Sequence, residues 1–312
     1  MKIGLGTVQF GLDYGVSNVA GKVPEAEAAS ILTHAEAAGI DTLDTSTGYG
    51  DAEEVLGRIS TAWDSAKIVT KTPVLRQMTD ASSVTDVITT TFERSLNRLG
   101  RSTLYGLMVH LAEDLLGPDG DEVWSAMQGL KDTGKVAKIG TSCYTTGEAR
   151  TLADRYPLDL IQVPFNLFDQ RMLTDGMLAY CMDKGVEVHT RSAFLQGLLL
   201  MDPDNMPDGF SSAERPLRAF RAKAEAMELS PLALALGSVL SRPEIDRVIL
   251  GVTNVSELEE ILVAAEAAHG LTADLSDMAQ SNEALITPSM WPPDTSEKWS
   301  FNYSKGASQN DA

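Results

Sequence analysis

Residues 24–44, PEAEAASILTHAEAAGIDTLD, hold one complete helix followed by one strand. A proline stands just before the acidic first turn of a helix predicted over 25–38, and Gly39 ends it. The apolar residues of this helix recur at the spacing of one buried face: Ala28, Ile31, Leu32 and Ala35. A short strand is predicted over 42–44, directly after this helix, so the segment defines a unit that can be sought elsewhere in the chain.

The same alternation continues through most of the sequence. Further strands are predicted over 67–70, 104–109, 137–140, 158–163, 186–190 and 247–250. Helices are predicted from 52 and from 82, and around 122–132, 146–154 and 172–183. A last helix opens at Asn254, with Glu257 at the spacing of a capping box. An irregular stretch over 200–212, rich in Met, Pro, Asp and Gly, interrupts the rhythm.

With a first strand near the N-terminus, the chain contains eight strand-plus-helix units. Such alternation implies parallel pairing, and this number of units favours a closed (β/α)8 TIM barrel of the α/β class. An open doubly wound sheet is the structural alternative. We assign residues 1–294 to a single barrel domain with its active site at the C-terminal ends of the strands, and we expect the polar tail 295–312 to be loosely ordered.

Composition and charge narrow the function classes. The 312 residues include 44 acidic and 25 basic side chains, and the formal net charge of −19 argues against nucleic acid or an anionic membrane as partner. No stretch reaches the roughly 20 apolar residues of a membrane span, and the N-terminus does not resemble a signal peptide. Because the chain has two cysteines and no metal-ligand spacing, we expect a cytoplasmic protein without a disulfide framework or a metal.

Polar residues end six of the predicted strands. In a barrel of this kind the reactive groups gather where the strands end, so these side chains are expected to converge on one rim. Each alone has a structural explanation, such as a helix cap, a solvated lysine or a hydrogen-bonded histidine. Their convergence predicts an active site, and its strand-end residues are Asp44, Lys71, His110, Ser142, Gln162 and Arg191.

The segments around these residues resemble a known family. They are, in chain order, LDTSTGYGDAEEVLG (43–57), KIVTKTP (67–73), LMVH (107–110), IGTS (139–142), IQVPFN (161–166) and HTRSAFLQGLL (189–199). In order and spacing these motifs resemble the aldo-keto reductase family, and the resemblance extends from residue 4 to about residue 265. It implies an oxidoreductase that reduces an aldehyde or ketone to an alcohol by hydride transfer from NADPH or NADH, with a small-molecule substrate.

The resemblance also assigns catalytic roles. A carbonyl carbon accepts hydride readily only when its oxygen is protonated or polarised, and a free tyrosine with a pKa of about 10 is a poor donor at neutral pH. A neighbouring ammonium group stabilises the phenolate, and a carboxylate keeps that ammonium in place. The resemblance makes Tyr49 the general acid, Lys71 the ammonium and Asp44 the carboxylate. It places His110 beside the substrate oxygen, with a tautomer that sequence does not reveal.

A larger set of residues is assigned to the cofactor. By the same resemblance these residues hold the nicotinamide, the pyrophosphate and the adenosine, and several first-loop and aromatic residues, among them Gln9, Phe10, Tyr14, Phe165 and Phe168, are candidate pocket walls. The cofactor set is Gly6, Thr7, Asp44, Ser142, Cys143, Gln162, Arg191, Ser192, Phe194, Gln196, Gly197, Gly251, Val252, Thr253 and Glu257.

Three positions depart from the family pattern. Cys143 stands where relatives commonly have asparagine, and we expect it to pack as a small apolar residue. Arg191 replaces an aromatic ring, so its guanidinium is expected to combine stacking with a phosphate or substrate contact, an ion pair with Glu187 or Asp169 being the alternative. The loop 251–261 has no cation for an adenosine 2′-phosphate, and Glu257 there favours NAD(H), although relatives usually take NADP(H).

Other functions stay open at this point. A barrel lysine such as Lys71 is able to form a Schiff base in an aldolase or lyase. The same site residues also support a sugar or alcohol dehydrogenase that runs in the oxidative direction. A third alternative is a non-catalytic regulatory subunit that binds the cofactor and reports redox state. The sequence leaves the substrate, the direction, the pathway and the oligomeric state undetermined.

Overall fold

Eight parallel strands follow one another around a closed barrel in chain order. The computed structural model describes residues 1–15, 18, 20–60, 63–77, 83–207 and 209–291. Its strands are β1 (Ile3–Gly6), β2 (Thr42–Asp44), β3 (Lys67–Lys71), β4 (Leu104–Val109), β5 (Val136–Ser142), β6 (Leu160–Pro164), β7 (Glu187–Arg191) and β8 (Arg247–Gly251). Leu5 of β1 pairs with Leu43 of β2 on one side and with Leu250 of β8 on the other. This closure confirms the predicted (β/α)8 barrel and excludes the open sheet.

Helices connect the strands on the outside of the barrel. They are α1 (Val8–Gly11), α2 (Glu25–Ala37), α3 (Ala52–Ile59), α4 (Val84–Leu99), α5 (Ala112–Leu116), α6 (Gly120–Asp132), α7 (Thr146–Arg155), α8 (Arg171–Thr174), α9 (Met177–Lys184), α10 (Ser211–Ala226), α11 (Pro231–Leu240), α12 (Val255–Ala267) and α13 (Glu283–Ile286). Short 3₁₀ turns cover Leu75–Gln77, Leu195–Leu200, Ser276–Met278 and Pro288–Met290. Within the described part of the chain, no helix combines the length and the apolar character needed to cross a bilayer.

The first predicted unit has the expected structure. All four apolar residues of the α2 face are buried, and Gly39 follows the helix with a φ of 80°. A positive φ at this position suits glycine, which has no Cβ to clash with the backbone. Periodicity and a stop residue were therefore enough to define this helix to within one residue.

Some predicted elements differ from the structure. The single helix predicted over 172–183 is two helices, α8 and α9, because Gly176 between them has a φ of 71°. Asn254 caps α12 by accepting the Glu257 N–H, but the Glu257 carboxylate accepts from Thr253 instead of closing the capping box. The predicted helix start at 82, the tail 295–312 and the domain boundary at 294 lie outside the described residues.

Strand periodicity places the polar rim above an apolar layer. Val69, Met108 and Leu160 form a buried cluster of their own, separate from the larger core that packs the helices against the strands. Side chains two residues apart on a strand point to the same face. The residues two positions later on the same chain segments therefore point to the same inward face. They lie at the C-terminal end of the barrel and are polar: Lys71, His110 and Gln162.

Candidate active site

A cavity of about 690 Å³ opens where the strands end. This volume lies within the range of roughly 300–1,000 Å³ that is usual for small-molecule and cofactor sites. The predicted site residues that line it are Gly6, Thr7, Asp44, Tyr49, Lys71, His110, Ser142, Gln162, Arg191, Ser192, Phe194, Gln196, Gly197, Gly251, Thr253 and Glu257. The structure therefore brings most of the residues singled out from sequence around one space.

Asp44 and Lys71 form a buried ion pair at the floor of this cavity. The Lys71 Nζ donates to Asp44 Oδ1 at 2.7 Å, and their side chains are 1% and 5% exposed. Burial lowers the pKa of Lys71 from its ordinary value, while the charge and hydrogen bond of Asp44 act in the opposite direction. The lysine also donates to the carbonyl oxygen of Thr45 at 3.0 Å. These contacts fix the ammonium group in one position.

Tyr49 receives the third hydrogen bond of this ammonium. The Lys71 Nζ donates to the Tyr49 hydroxyl at 3.4 Å and lies 5.0 Å from the centre of its ring. The loop that carries Tyr49 is held by glycines that allow close backbone contact. A Cβ on Gly11 would lie 1.8 Å from the Tyr49 carbonyl oxygen, and Gly50 has a φ of 59°. The glycines of the first and second βα loops thus determine where the phenol stands.

His110 contacts the phenol ring of Tyr49. Its ring meets that of Tyr49 edge to face, with the centroids 5.9 Å apart. Burial lowers the pKa of His110 well below 6.5, and the positive charges of Lys71 and Arg191 lower it further. The imidazole is therefore neutral at physiological pH and carries one ring hydrogen. Its Nδ1 lies 3.1 Å from the hydroxyl oxygen of Ser46.

Gln162 connects the strand-six side of the cavity to the ion pair. Its Nε2 donates to Asp44 Oδ2 at 2.9 Å, so the Asp44 carboxylate joins Lys71 and Gln162 through its two oxygens. Ser142 ends the neighbouring strand, where its backbone pairs with Gln162. These two members of the predicted cofactor set are thus side by side.

Arg191 faces the cavity with a contact that sequence did not predict. Its guanidinium carbon lies 4.1 Å from the centre of the Tyr144 ring, and one nitrogen donates to the Cys143 carbonyl oxygen at 3.2 Å. The alternative ion pair with Glu187 or Asp169 is wrong. Glu187 binds Lys138 and His189, and Asp169 binds Arg171 at 2.8 Å.

Two residues of the predicted cofactor set do not line the cavity. Cys143 and Val252 are 0% and 1% exposed and belong to the hydrophobic core. Burial raises the pKa of the Cys143 thiol, as expected for a thiol in apolar surroundings. Cys143 thus packs as the expected small apolar residue, and its side chain is not a wall of the site. Both positions follow a strand closely, and the alternation of side chains turns them outward.

The cavity wall contains strained backbone and unsatisfied polar atoms. Ser192, Leu195 and Gln196 have positive φ values of 61°, 48° and 54°. Each such residue costs about 1–3 kcal/mol, and clusters of them are typical of ligand clamps. The side-chain oxygens of Gln9 and Gln196 are buried without a hydrogen-bond partner in the described protein. A ligand with several donors, such as a dinucleotide, would satisfy these oxygens, so the residues fit the expected cofactor.

An acidic side chain, that of Glu257, lies in the first turn of α12. The Glu257 carboxylate accepts from the Thr253 N–H and from the Thr253 hydroxyl, both at 2.7 Å. A helix N-terminus favours an anion, and this carboxylate occupies the position where a phosphate would otherwise be attracted. Glu260 lines the cavity as well. Among the described residues, the only cationic side chains that line this cavity are Lys71 and Arg191.

Comparison with known proteins agrees with this geometry. The family model described as the aldo/keto reductase family matches residues 2–282. The chain belongs to the aldo/keto reductase family. Members of this family are oxidoreductases that use NAD(P)H. The family assignment from sequence motifs is thereby confirmed.

Individual relatives of this aldo/keto reductase are distant. Aldo-keto reductase YhdN of Bacillus subtilis is 28% identical over 210 residues, which are 64% of this chain and 60% of that protein, less than two thirds of its length. L-galactose dehydrogenase of Arabidopsis thaliana is 26% identical over 286 residues, 88% of each protein. The solved structure of a glycerol dehydrogenase from Gluconobacter oxydans shares the fold, with a TM-score of 0.69, 22% identity and 92% of each chain covered.

Sequence reasoning missed two residues that contact the predicted set. Ser46 lies in the signature segment, but its partner His110 is 64 positions away, and no local pattern joins them. Tyr144 follows the fifth strand and contacts Arg191 of the seventh. An aromatic residue directly after a strand of the predicted rim was the available signal for Tyr144. For Ser46 the signal was a small hydroxyl two residues after Asp44.

Proposed function

We propose that this protein reduces an aldehyde or ketone to an alcohol, with Tyr49 as the proton donor and NADH as the preferred cofactor. The observation that carries the proposal is the continuous contact from Asp44 to Lys71 at 2.7 Å and from Lys71 to the Tyr49 hydroxyl at 3.4 Å, in the wall of the cavity. His110 lines the same space. Together these groups supply a proton and a polar contact at one point, as carbonyl reduction requires.

Each residue has a defined part in this reaction. The nicotinamide cofactor, held by Ser142, Gln162 and the 192–197 segment, supplies the hydride when bound. Tyr49 donates its hydroxyl proton to the substrate oxygen as negative charge develops there. Lys71 stabilises the resulting phenolate because its ammonium already contacts that oxygen. Asp44 keeps the ammonium charged, and the neutral His110 orients the carbonyl through a ring hydrogen bond.

The contacts of Lys71 argue against the Schiff-base alternative. An ammonium group has three hydrogens, and here they have three acceptors, namely the Asp44 carboxylate, the Thr45 carbonyl and the Tyr49 hydroxyl. A Schiff-base lysine must instead present a lone pair to a carbonyl carbon. Borohydride treatment in the presence of a carbonyl ligand should therefore give no covalent adduct on the protein by mass spectrometry. A trapped adduct on Lys71 would favour the aldolase or lyase.

The oxidative direction is the second candidate function. The Arabidopsis relative is named L-galactose dehydrogenase, and the similar Gluconobacter structure is that of a glycerol dehydrogenase. Both names describe the oxidation of an alcohol. The same groups would then act in reverse, with the phenolate of Tyr49 removing the alcohol proton. The reductive direction is proposed because Arg191, which forms no ion pair among the described residues, places a positive charge in the wall, whereas the charge of Lys71 is paired with Asp44. The Arg191 charge disfavours the cationic ring of an oxidised nicotinamide.

A substrate panel tests both candidates. Aldehydes, ketones, pyridoxal-like compounds and sugars are incubated with NADH and with NADPH, and the loss of nicotinamide absorbance is followed. The corresponding alcohols are incubated with the oxidised cofactors. We expect turnover of at least one carbonyl compound, with faster reduction than oxidation at neutral pH. Cofactor binding without turnover of any member would instead favour the regulatory subunit.

Cofactor preference gives a separate prediction. We expect NADH to bind at least about tenfold more tightly than NADPH, because the extra phosphate would lie near the carboxylates of Glu257 and Glu260. Dissociation constants from fluorescence titration at moderate salt measure this ratio. Glu257→Gln should narrow the ratio of the two dissociation constants severalfold because it removes one negative charge. The neutral amide oxygen still accepts from the Thr253 N–H, so the loop should keep its structure.

A matched substitution controls for general charge effects. Glu259 lies on the same helix, is exposed, and does not line the cavity. Glu259→Gln makes the same change in net charge and should leave the ratio near its wild-type value. Equal affinities would contradict the expected ratio, and a wild-type preference above tenfold for NADPH would overturn the argument from charge altogether.

A further inference from the structure

The hydroxyl of Ser46 lies between the Tyr49 loop and the catalytic histidine. Ser46 is fully buried, and its Oγ accepts a hydrogen bond from the Gly48 N–H at 3.1 Å. The same oxygen lies 3.1 Å from Nδ1 of His110. Among the residues that the structure describes, His110 Nδ1 is the only acceptor within reach of the Ser46 hydroxyl hydrogen.

These contacts distinguish the two neutral tautomers of His110. If Nδ1 carried the ring hydrogen, it would donate to Ser46, and the buried Ser46 hydroxyl would have no acceptor for its own hydrogen. A buried donor without an acceptor destabilises the protein, because the hydrogen bond that it made with water has not been replaced. If Ser46 donates to Nδ1, the buried hydroxyl hydrogen has its acceptor, and the ring hydrogen is on Nε2.

We propose that Ser46 is a positioning residue that holds His110 in the tautomer with its hydrogen on Nε2. This inference rests on the proposed function, since it completes the role of His110 as a hydrogen-bond donor. Nε2 is on the opposite side of the ring from Ser46, and His110 lines the cavity. The tautomer thus presents a donor, rather than a lone pair, to the oxygen of a carbonyl substrate.

The tautomer can be observed directly by nitrogen-15 spectroscopy of histidine. The chain has 4 histidines, so a histidine-labelled full-length protein gives few ring signals, and His110→Gln identifies those of His110. In the unsubstituted protein at pH 8 we expect Nε2 to be protonated and Nδ1 to be unprotonated. A protonated Nδ1 would overturn the proposal, whatever the behaviour of any variant.

Substitution of Ser46 supplies the causal test. Ser46→Ala should shift the Nδ1 signal toward the protonated position, and Ser46→Thr, which keeps the hydroxyl, should restore the original signal. Ser60→Ala removes another buried hydroxyl, at the end of α3, and should leave the His110 signals unchanged. An unaltered His110 spectrum in folded Ser46→Ala would overturn the proposal.

Kinetics connect the tautomer to turnover. Ser46→Ala should lower kcat by about tenfold, the scale of one weakened hydrogen bond to the developing charge, while the dissociation constant of the cofactor stays within twofold. Ser46→Thr should recover most of the rate. If no carbonyl compound is reduced at all, the proposed function fails, but the spectra still decide the tautomer. Turnover with a protonated Nδ1 would defeat only the inference about Ser46.

Discussion

Tyr49→Phe should bind the nicotinamide cofactor as tightly as the unsubstituted protein and lose carbonyl reduction by about 10³-fold, within the range for removal of a general acid. The substitution deletes only the hydroxyl that contacts Lys71 at 3.4 Å. The substrate oxygen would then have to take its proton from water or from His110, whose ring is neutral. Single-turnover reduction at saturating substrate measures the chemical step, and fluorescence titration measures cofactor binding.

Tyr156→Phe is the matched control for loss of a tyrosine hydroxyl. Tyr156 is 6% exposed, stacks on Trp124, and donates to Asp121 at 2.9 Å, outside the cavity. This variant should retain the rate of reduction even if its stability falls. Near-normal reduction by Tyr49→Phe would show that another group donates the proton, and the proposed mechanism would be abandoned.

The fold could be predicted from sequence because its signals are local. Helix α2 is defined by its apolar spacing and by Gly39, and neither feature depends on distant residues. The six strand-end residues followed from one topological rule, that the ends of parallel strands share one rim. Tyr49 and the rest of the cofactor set were implied by the family resemblance. The alternation of side chains along a strand, applied to Cys143 and Val252, would have turned both side chains toward the core.

Pairwise contacts across the rim could not be predicted in this way. Arg191 contacts Tyr144, and Ser46 contacts His110, because the rim of the barrel brings together residues at the ends of alternate strands, β5 and β7 in the first case and β2 and β4 in the second. The ion-pair alternative for Arg191 failed since Glu187 points to the opposite end of the barrel, where Lys138 and His189 bind it. Which partner a charged side chain finds depends on distances across the barrel, and sequence spacing contains no such distances.

Lys71→Met should abolish reduction to the same degree as Tyr49→Phe and also destabilise the fold. The ammonium is the group that stabilises the phenolate, and no other lysine lines the cavity among the described residues. Its removal leaves the buried Asp44 carboxylate with the Gln162 amide but without a positive partner. Breaking one side of a buried ion pair costs about 3–5 kcal/mol. Urea unfolding measures the stability, and single-turnover reduction measures the chemistry.

The double variant Asp44→Asn with Lys71→Met separates these two effects. Asparagine has no charge to leave unpaired, and its side-chain oxygen can still accept from Gln162. We therefore expect the double variant to recover much of the lost free energy of unfolding while reduction stays abolished. If reduction returned together with stability, Lys71 would act only by holding the fold. If Asp44→Asn alone keeps part of the rate and the stable double variant has none, the ammonium is required for the chemistry at Tyr49.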